Sequence, residues 1–216
     1  MTKTLDYKIV SDHCMSLVFG DAVIDETINA KVLAVYNKLS KRDLVDIHVV
    51  DLVPTYNELA LHFSTSLNNN TITDVLDFVS DEIDKKPSFF SRFKTVKTHT
   101  LLVDYNGEDL DRVSSFCNLS IEDVIRLHTE PLYKIAMIGF KPHFPYLIGM
   151  DNKLLVPRLD NPRTKVPSGS VAIGGKQTGI YPVESPGGWN IIGSTDVSKL
   201  KKLSAGDNIK FKAVVR

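Results

Sequence analysis

Beyond Pro131 the chain is cut into short pieces by proline and glycine, and this punctuation limits its fold more than any other feature. Pro142, Pro145, Pro157, Pro162, Pro167, Pro182 and Pro186 fall in this half, with Gly139, Gly149, Gly169, Gly174, Gly175, Gly179, Gly187, Gly188 and Gly193 among them. Proline lacks a backbone N–H and fixes φ, so it interrupts helices and central strands alike. Glycine supplies the tight reversals. Short β-prone runs at that turn density predict a closed or nearly closed β-barrel. Ahead of them stand a strand over 100–105, a short helix near 110–116 and a second helix opened by Ser120.

The first half has a different rhythm. A β-rich run over 15–19 ends at Gly20, and Ile28, Val32, Val35, Tyr36 and Leu39 then recur at helical spacing. Asp25 is placed to N-cap that helix, and Lys38, Lys41 and Arg42 suit its C-terminal end. Residues 45–53 read as a strand stopped by Pro54, and 58–64 as another. After the Asn68-Asn69-Asn70 turn, Thr71 is expected to cap a helix with Ile72, Val75, Leu76, Val79 and Ile83 inward, ended by Lys85-Lys86-Pro87. The order β-α-β-β-α with a closing strand predicts a ferredoxin-like α/β sandwich. Residues 87–95 break both periodicities. The predicted class is therefore α+β, with an N-terminal domain over 1–90 and a barrel domain over 95–216.

Charge and cysteine usage exclude several functions. Lys plus Arg equals Asp plus Glu at 26 each, so nothing calls for nucleic acid or an anionic membrane. Two distant cysteines, Cys14 and Cys117, form neither a disulfide framework nor a zinc site. No stretch reaches the roughly 20 apolar residues of a membrane span, and the N-terminus lacks a signal-peptide pattern. A soluble, cytoplasmic protein is expected.

Several residues are candidates for chemistry. His128 follows Ile121 by seven positions and shares the apolar face of its helix, where an imidazole is either a hydrogen-bonded core group or the lining of a site. The run Gly139 to Leu147 contains Pro142, Phe144 and Tyr146, and is either a rigid core loop or a preformed ligand wall. Ser170 to Lys176 fails as a phosphate loop, because Ser170 replaces the first glycine and Gln177 follows the lysine. Arg163 and Lys165 carry charge suited to an anion, and Gln177 and Tyr181 carry groups suited to an amide. Trp189, the sole tryptophan, reads as a core plug.

The segments GFKPHFPYLIGMD, PRTKVPSGSVAIGGKQTGIYP and SPGGWNIIGST resemble signature segments of the 5-oxoprolinase B-subunit family (PxpB). That family is also called the first subunit of allophanate hydrolase, includes the kinase inhibitor KipI, and is described as carboxyltransferase domain, subdomain C and D. SLVFGDAVIDETINAKVLAVYNKL, LSIEDVIRLHTEPLYKIAMIGF and SAGDNIKFK extend the likeness over nearly the whole chain. The resemblance implies a cyclophilin-like β-barrel after an N-terminal α/β domain. It implies partners: a homologous barrel subunit (PxpC-type) and a metal-dependent subunit (PxpA-type). It implies hydrolysis of 5-oxo-L-proline to L-glutamate with ATP and Mg2+ by the complex, the chain being inactive alone, without its own metal or a covalent cofactor. Alternatives within the family are inhibition of a sporulation histidine kinase and hydrolysis of allophanate or another urea derivative. By position, His128, Gln177 and Arg163 are expected to be catalytic, and Lys165, Thr178, Tyr181, Pro142, Phe144 and Tyr146 to bind substrate. The chain departs from the pattern at His143, commonly glycine, and at the shortened loop 104–110, which lacks the family's cysteine.

Overall fold

The computed structural model describes residues 5–21, 24–84 and 96–214. The chain divides into two compact units, residues 1–95 and 96–216.

The first unit runs β1 (Asp6–Ser11), β2 (Cys14–Val18), α1 (Glu26–Leu39), β3 (Val49–Pro54), β4 (Glu58–Phe63) and α2 (Asn69–Asp84). Its antiparallel sheet has the order β1-β2-β4-β3. Asp25 caps α1 as predicted, its carboxylate accepting the N–H groups of Thr27 and Ile28. Val32, Val35 and Leu39 of α1 pack with Val75 and Val79 of α2 and with Leu59 and Leu61 of β4. Three expectations need correction. Val45–Ile47 is a single 3-10 turn, not strand: Asp43 accepts the Val45 N–H, and His48 turns left-handed at φ 58° before β3 begins. Asn68, not Thr71, caps α2, its Oδ1 accepting from the Asn70 and Thr71 N–H groups. The predicted order also lacks β1, which precedes it in sequence and pairs with β2 at the sheet edge. The expected break at 87–95 and the stop at Lys85-Lys86-Pro87 lie outside the described residues.

The second unit runs β5 (Thr98–Asp104), α3 (Leu110–Cys117), α4 (Ile121–Thr129), β6 (Tyr133–Ile138), β7 (Pro145–Ile148), β8 (Arg163–Val166), β9 (Ser170–Gly174), β10 (Gln177–Ile180), β11 (Ser185–Gly187), β12 (Asn190–Thr195) and β13 (Asn208–Ala213). Seven strands close a barrel in the order β10-β7-β6-β13-β5-β12-β9, while β8 and β11 pair apart from it. Successive strand residues face opposite ways. Val171 and Ile173 of β9 join the barrel core with Leu101, Ile135, Leu147 and Phe211, whereas Ala172 between them joins a second cluster with Phe144, Val166, Tyr181, Trp189 and Ile191. The barrel wall is thus covered on both faces at β9 and β10, and every residue of those strands is buried. Ser120 caps α4 by accepting from the Asp123 N–H. No helix of the described residues is long and apolar enough to cross a membrane.

Two local features stand at positions singled out in the sequence. His143 sits at φ 70°, a left-handed conformation that glycine adopts without penalty. The loop 104–110 lies against β12: the Gly107 and Asp109 N–H groups donate to the carbonyls of Ile192 and Ile191. A Cβ on Gly107 would land on the Ile191 carbonyl oxygen and within 2.5 Å of the Gly193 nitrogen, both backbone atoms unable to swing aside. Gly107→Ala is therefore expected to cost about 2–3 kcal/mol, read as a lower midpoint in urea unfolding of the full chain. An unchanged midpoint would mean that the loop lifts freely off β12.

Candidate functional site

Strand β10 reads Gln177-Thr178-Gly179-Ile180, and the barrel wall divides these residues in two. Ile180 lies in the barrel core, and Thr178 bonds to a core histidine. A Cβ on Gly179 would instead meet Phe144 and Trp189, each at 3.0 Å, on the outer face. Gln177, two residues away, shares that outer face.

The inner group is a one-way chain of hydrogen bonds. Thr178 Oγ1 donates to the Ala172 carbonyl at 3.0 Å, so it accepts from His128 Nε2 at 2.9 Å. His128 Nδ1 is then left to accept from the Tyr105 hydroxyl at 2.6 Å. The ring stacks on Phe211, with centroids 4.7 Å apart, and is 0% exposed. Burial disfavours the imidazolium and lowers the pKa from 6.5 to about 3. This corrects the expectation for His128 and Thr178. Both ring nitrogens are used and no surface reaches them, so the pair ties α4 to β10 and β9 instead of facing a substrate.

The outer group is aromatic and built on missing side chains. Trp189 lies where a Cβ on Gly174 would be, 2.7 Å from Cγ, Cδ1 and Nε1, and reaches across to Gly179. Phe144 packs on Tyr146 (centroids 4.8 Å apart), Tyr181 (5.1 Å) and Trp189 (5.8 Å). Gln177 stands directly opposite Gly174 in the β9–β10 hairpin, hence beside the same indole. Its side chain is 5% exposed, and its Nε2 has no hydrogen-bond partner. An unmade bond at a buried amide donor costs about 1–3 kcal/mol, and this atom has essentially no exposed surface, so an acceptor reaches it only when the side chain or the rings over it move.

Arg158 completes this face. Its guanidinium lies 5.7 Å over the Trp189 ring. Backbone contacts hold its segment from both sides: the Gly175 N–H donates to the Val156 carbonyl at 2.8 Å, Asn190 Nδ2 to the Pro157 carbonyl at 2.9 Å, and the Leu159 N–H to the Gly188 carbonyl at 2.7 Å. Burial raises the pKa of Tyr146, with Arg158 opposing it. Burial likewise raises Tyr181, opposed by the Trp189 N–H and by Arg158 and Arg163. Sequence reasoning missed Arg158, and it took Trp189 for a plain core residue. The glycines at 174 and 179 were the available sign that a flat ring lies on this wall.

The expected anion partners are already neutralised. Arg163 Nε meets Glu108 at 3.0 Å, and its Nη2 meets the buried Asp109 at 2.8 Å, leaving only Nη1 without a partner. Asp109 is itself fixed, accepting the Ile191 N–H at 2.7 Å. A depression of about 310 Å³ lined by Arg112, Leu159, Asp160, Asn161 and Arg163 opens beside this network. Lys165 is exposed and faces Glu184 at 3.5 Å. Pro142 is exposed in the turn before β7 and stands outside the aromatic cluster. Of the expected residues, the fold gathers Gln177, Phe144, Tyr146 and Tyr181, with Arg163 nearby. Among the described residues no group of three His, Cys, Asp or Glu could hold a metal ion.

The comparisons with known proteins cover most of the chain. The model of the family described as carboxyltransferase domain, subdomain C and D, matches residues 5–205. The 5-oxoprolinase B subunit of Bacillus subtilis (strain 168) is 30% identical over 226 residues, which is 96% of this chain and 93% of that protein. The 5-oxoprolinase B subunit of Haemophilus influenzae is 49% identical over 112 residues, 49% of this chain and 53% of the relative, so the matched stretch spans about half the length of that relative. The crystal structure of TTHA0988 is 32% identical, with a TM-score of 0.78 over 94% of this chain and 40% of that chain.

The inner chain of hydrogen bonds has a pH signature. His128 is held neutral in the folded barrel down to about pH 3, while the unfolded chain takes up a proton near 6.5. Its contribution to stability is therefore complete above pH 6.5 and is lost as pH falls toward 3, by about 1.4 kcal/mol per pH unit. Urea midpoints between pH 7.5 and 5 should fall more steeply for the native chain than for His128→Gln. Equal slopes would show that the ring is protonated within the fold.

Proposed function

The chain belongs to the carboxyltransferase domain, subdomain C and D, family, and on that premise we propose that it is one subunit of an ATP-dependent amide-hydrolysing complex of the 5-oxoprolinase type. The working surface in this reading is the outer aromatic face of the barrel. The observation that carries it is the buried Gln177 Nε2, which has no acceptor and stands beside Trp189. Its N–H would donate to the carbonyl oxygen of an amide and stabilise the negative charge that grows there as the carbon is attacked. The rings of Tyr146 and Tyr181, tilted and edge-to-face on Phe144, pack on the same outer face. The near-full-length likeness to a 5-oxoprolinase B subunit supports 5-oxo-L-proline as the substrate.

ATP and Mg2+ belong, in this reading, to the assembled complex. The Gly-rich hairpin of this chain is a strand pair and not a phosphate loop before a helix, and among the described residues no group of three His, Cys, Asp or Glu could hold a metal ion. No step through the nucleotide is assigned to this chain. A homologous barrel subunit and a metal-dependent subunit would supply the rest, and the complex would work in the cytoplasm.

The test is co-expression with those two subunits from the same genome, followed by measurement of glutamate and ADP after adding 5-oxoproline and ATP. Glutamate release should require this chain. Gln177→Leu should lower it by about 100-fold, the usual effect of removing one charge-stabilising donor. The same substitution should leave the urea midpoint unchanged or higher, because an unsatisfied buried donor has been removed. Absence of both a complex and turnover would overturn the reading, as would full activity in Gln177→Leu.

A further inference from the structure

The formal net charge of zero conceals two oppositely charged halves. Residues 1–95 carry 10 Lys and Arg against 14 Asp and Glu, and residues 96–216 carry 16 against 12, so the first unit has a net charge of −4 and the second of +4. In each unit part of the surplus is gathered on one open face. On α2, Val75 and Val79 are turned into the core, and Asp74, Asp77, Asp81 and Asp84 recur at three- and four-residue steps on the opposite, exposed side. They spread over about 15 Å of helix. In the barrel, Leu101 and Val103 of β5 and Ile209 and Phe211 of β13 lie in the core. The alternate residues Thr100, Leu102, Lys210 and Lys212 therefore face outward, Thr100 beside Lys210 and Leu102 beside Lys212. Lys199 joins them, its Nζ donating to the Thr100 carbonyl at 3.2 Å. Leu102 is 55% exposed at the centre of this face. Lys210 donates to the Glu130 carbonyl, and Asp196, three residues before Lys199, is spent on the Ser198 N–H and hydroxyl. Among the described residues no carboxylate pairs with these three lysines, and no cation with these four aspartates.

We propose that the outer face of β5 and β13 docks α2 of a second copy of this chain. The acidic complement of the lysine face is carried by the same sequence, so two copies make the contact twice. The α2 of each lies on the barrel of the other, and the pair closes on itself. Each row of like charge, left in water by a single copy, then meets a row of the opposite sign. Nucleic acid or an anionic membrane fits less well, because the chain as a whole is neutral and the aspartates of α2 would be repelled. The inference is independent of the amide-hydrolase reading.

Sedimentation velocity of the full chain, from about 1 to 100 μM, reads the assembly directly. In about 50 mM NaCl a reversible species of twice the 24.1 kDa chain mass is expected. Its dissociation constant should rise at least about tenfold by about 500 mM NaCl, as salt shortens the reach of the charges. The double variant Asp77→Lys, Asp81→Lys should be monomeric, and so should Lys199→Glu, Lys212→Glu. An equimolar mixture of the two should restore the dimer, because one contact then joins a reversed helix to a reversed sheet face and the other joins the native pair. Urea midpoints equal to that of the native chain would show that both variants are folded. A native chain that stays monomeric at low salt, a dimer indifferent to salt or to either reversal, or a mixture that stays monomeric would each overturn the proposal. A monomeric native chain whose Lys199→Glu, Lys212→Glu variant is released by a co-expressed barrel subunit would also overturn it, and would give the face to that subunit. Glutamate release enters none of these outcomes, so they stand apart from the fate of the amidase reading.

Discussion

The barrel depends on one constraint: in a closed sheet, neighbouring residues of a strand must face opposite sides, and here both sides of one wall are buried. At β9 and β10 the inner side is the aliphatic core and the outer side is an aromatic layer. A single step along β10, from Gln177 to Thr178, crosses from one environment to the other. Thr178 is consumed by the chain that runs from Tyr105 through His128 to the Ala172 carbonyl. Gln177 keeps an unused donor on the outside. A register slip of one residue would exchange them, placing an amide in an aliphatic core and a hydroxyl under an indole. The fully satisfied inner chain ties α4, β9 and β10 together and so opposes that slip.

The outer face is made as much by absent side chains as by present ones. Trp189 rests where Gly174 and Gly179 leave the strand backbone bare, and Tyr181 lies against Gly187 in the same way. Any Cβ at these positions would push a ring off the sheet. The rings that settle there are edge-to-face or tilted, the arrangement favoured by their quadrupoles, and Phe144, Tyr181 and Trp189 are buried by one another and by the wall beneath. Low water content is what gives a lone amide N–H its strength toward an acceptor.

Charge pairing sharpens the same face by subtraction. The barrel unit carries several cations close to it, but Arg163 is held by two carboxylates, one of them buried, and Lys165 by Glu184. These pairs brace the loop 104–110 and the β8–β11 ribbon. Arg158, by contrast, lies 5.7 Å over the Trp189 ring.

Much of the architecture was legible in the sequence because it follows from local rules. Helical spacing and Asp25 mark α1, Ser120 marks the start of α4, and the proline and glycine punctuation marks a barrel. Where local rules competed, the reading slipped. Asp43 and the left-handed His48 turned the start of an apparent strand into a 3-10 turn, and β1, at the sheet edge, was not among the expected strands. The site was legible only as a set of residue types. Gln177, Phe144, Tyr146 and Tyr181 were named from the sequence and meet on one face. His128 and Thr178 were named with them and lie on the other, while Arg158 and the role of Trp189 went unseen. The physical reason is that composition and spacing specify which groups a strand carries and that they alternate. Which of the two alternating faces becomes core is settled only when the barrel closes and the segment 156–159 is bonded onto it from afar in sequence.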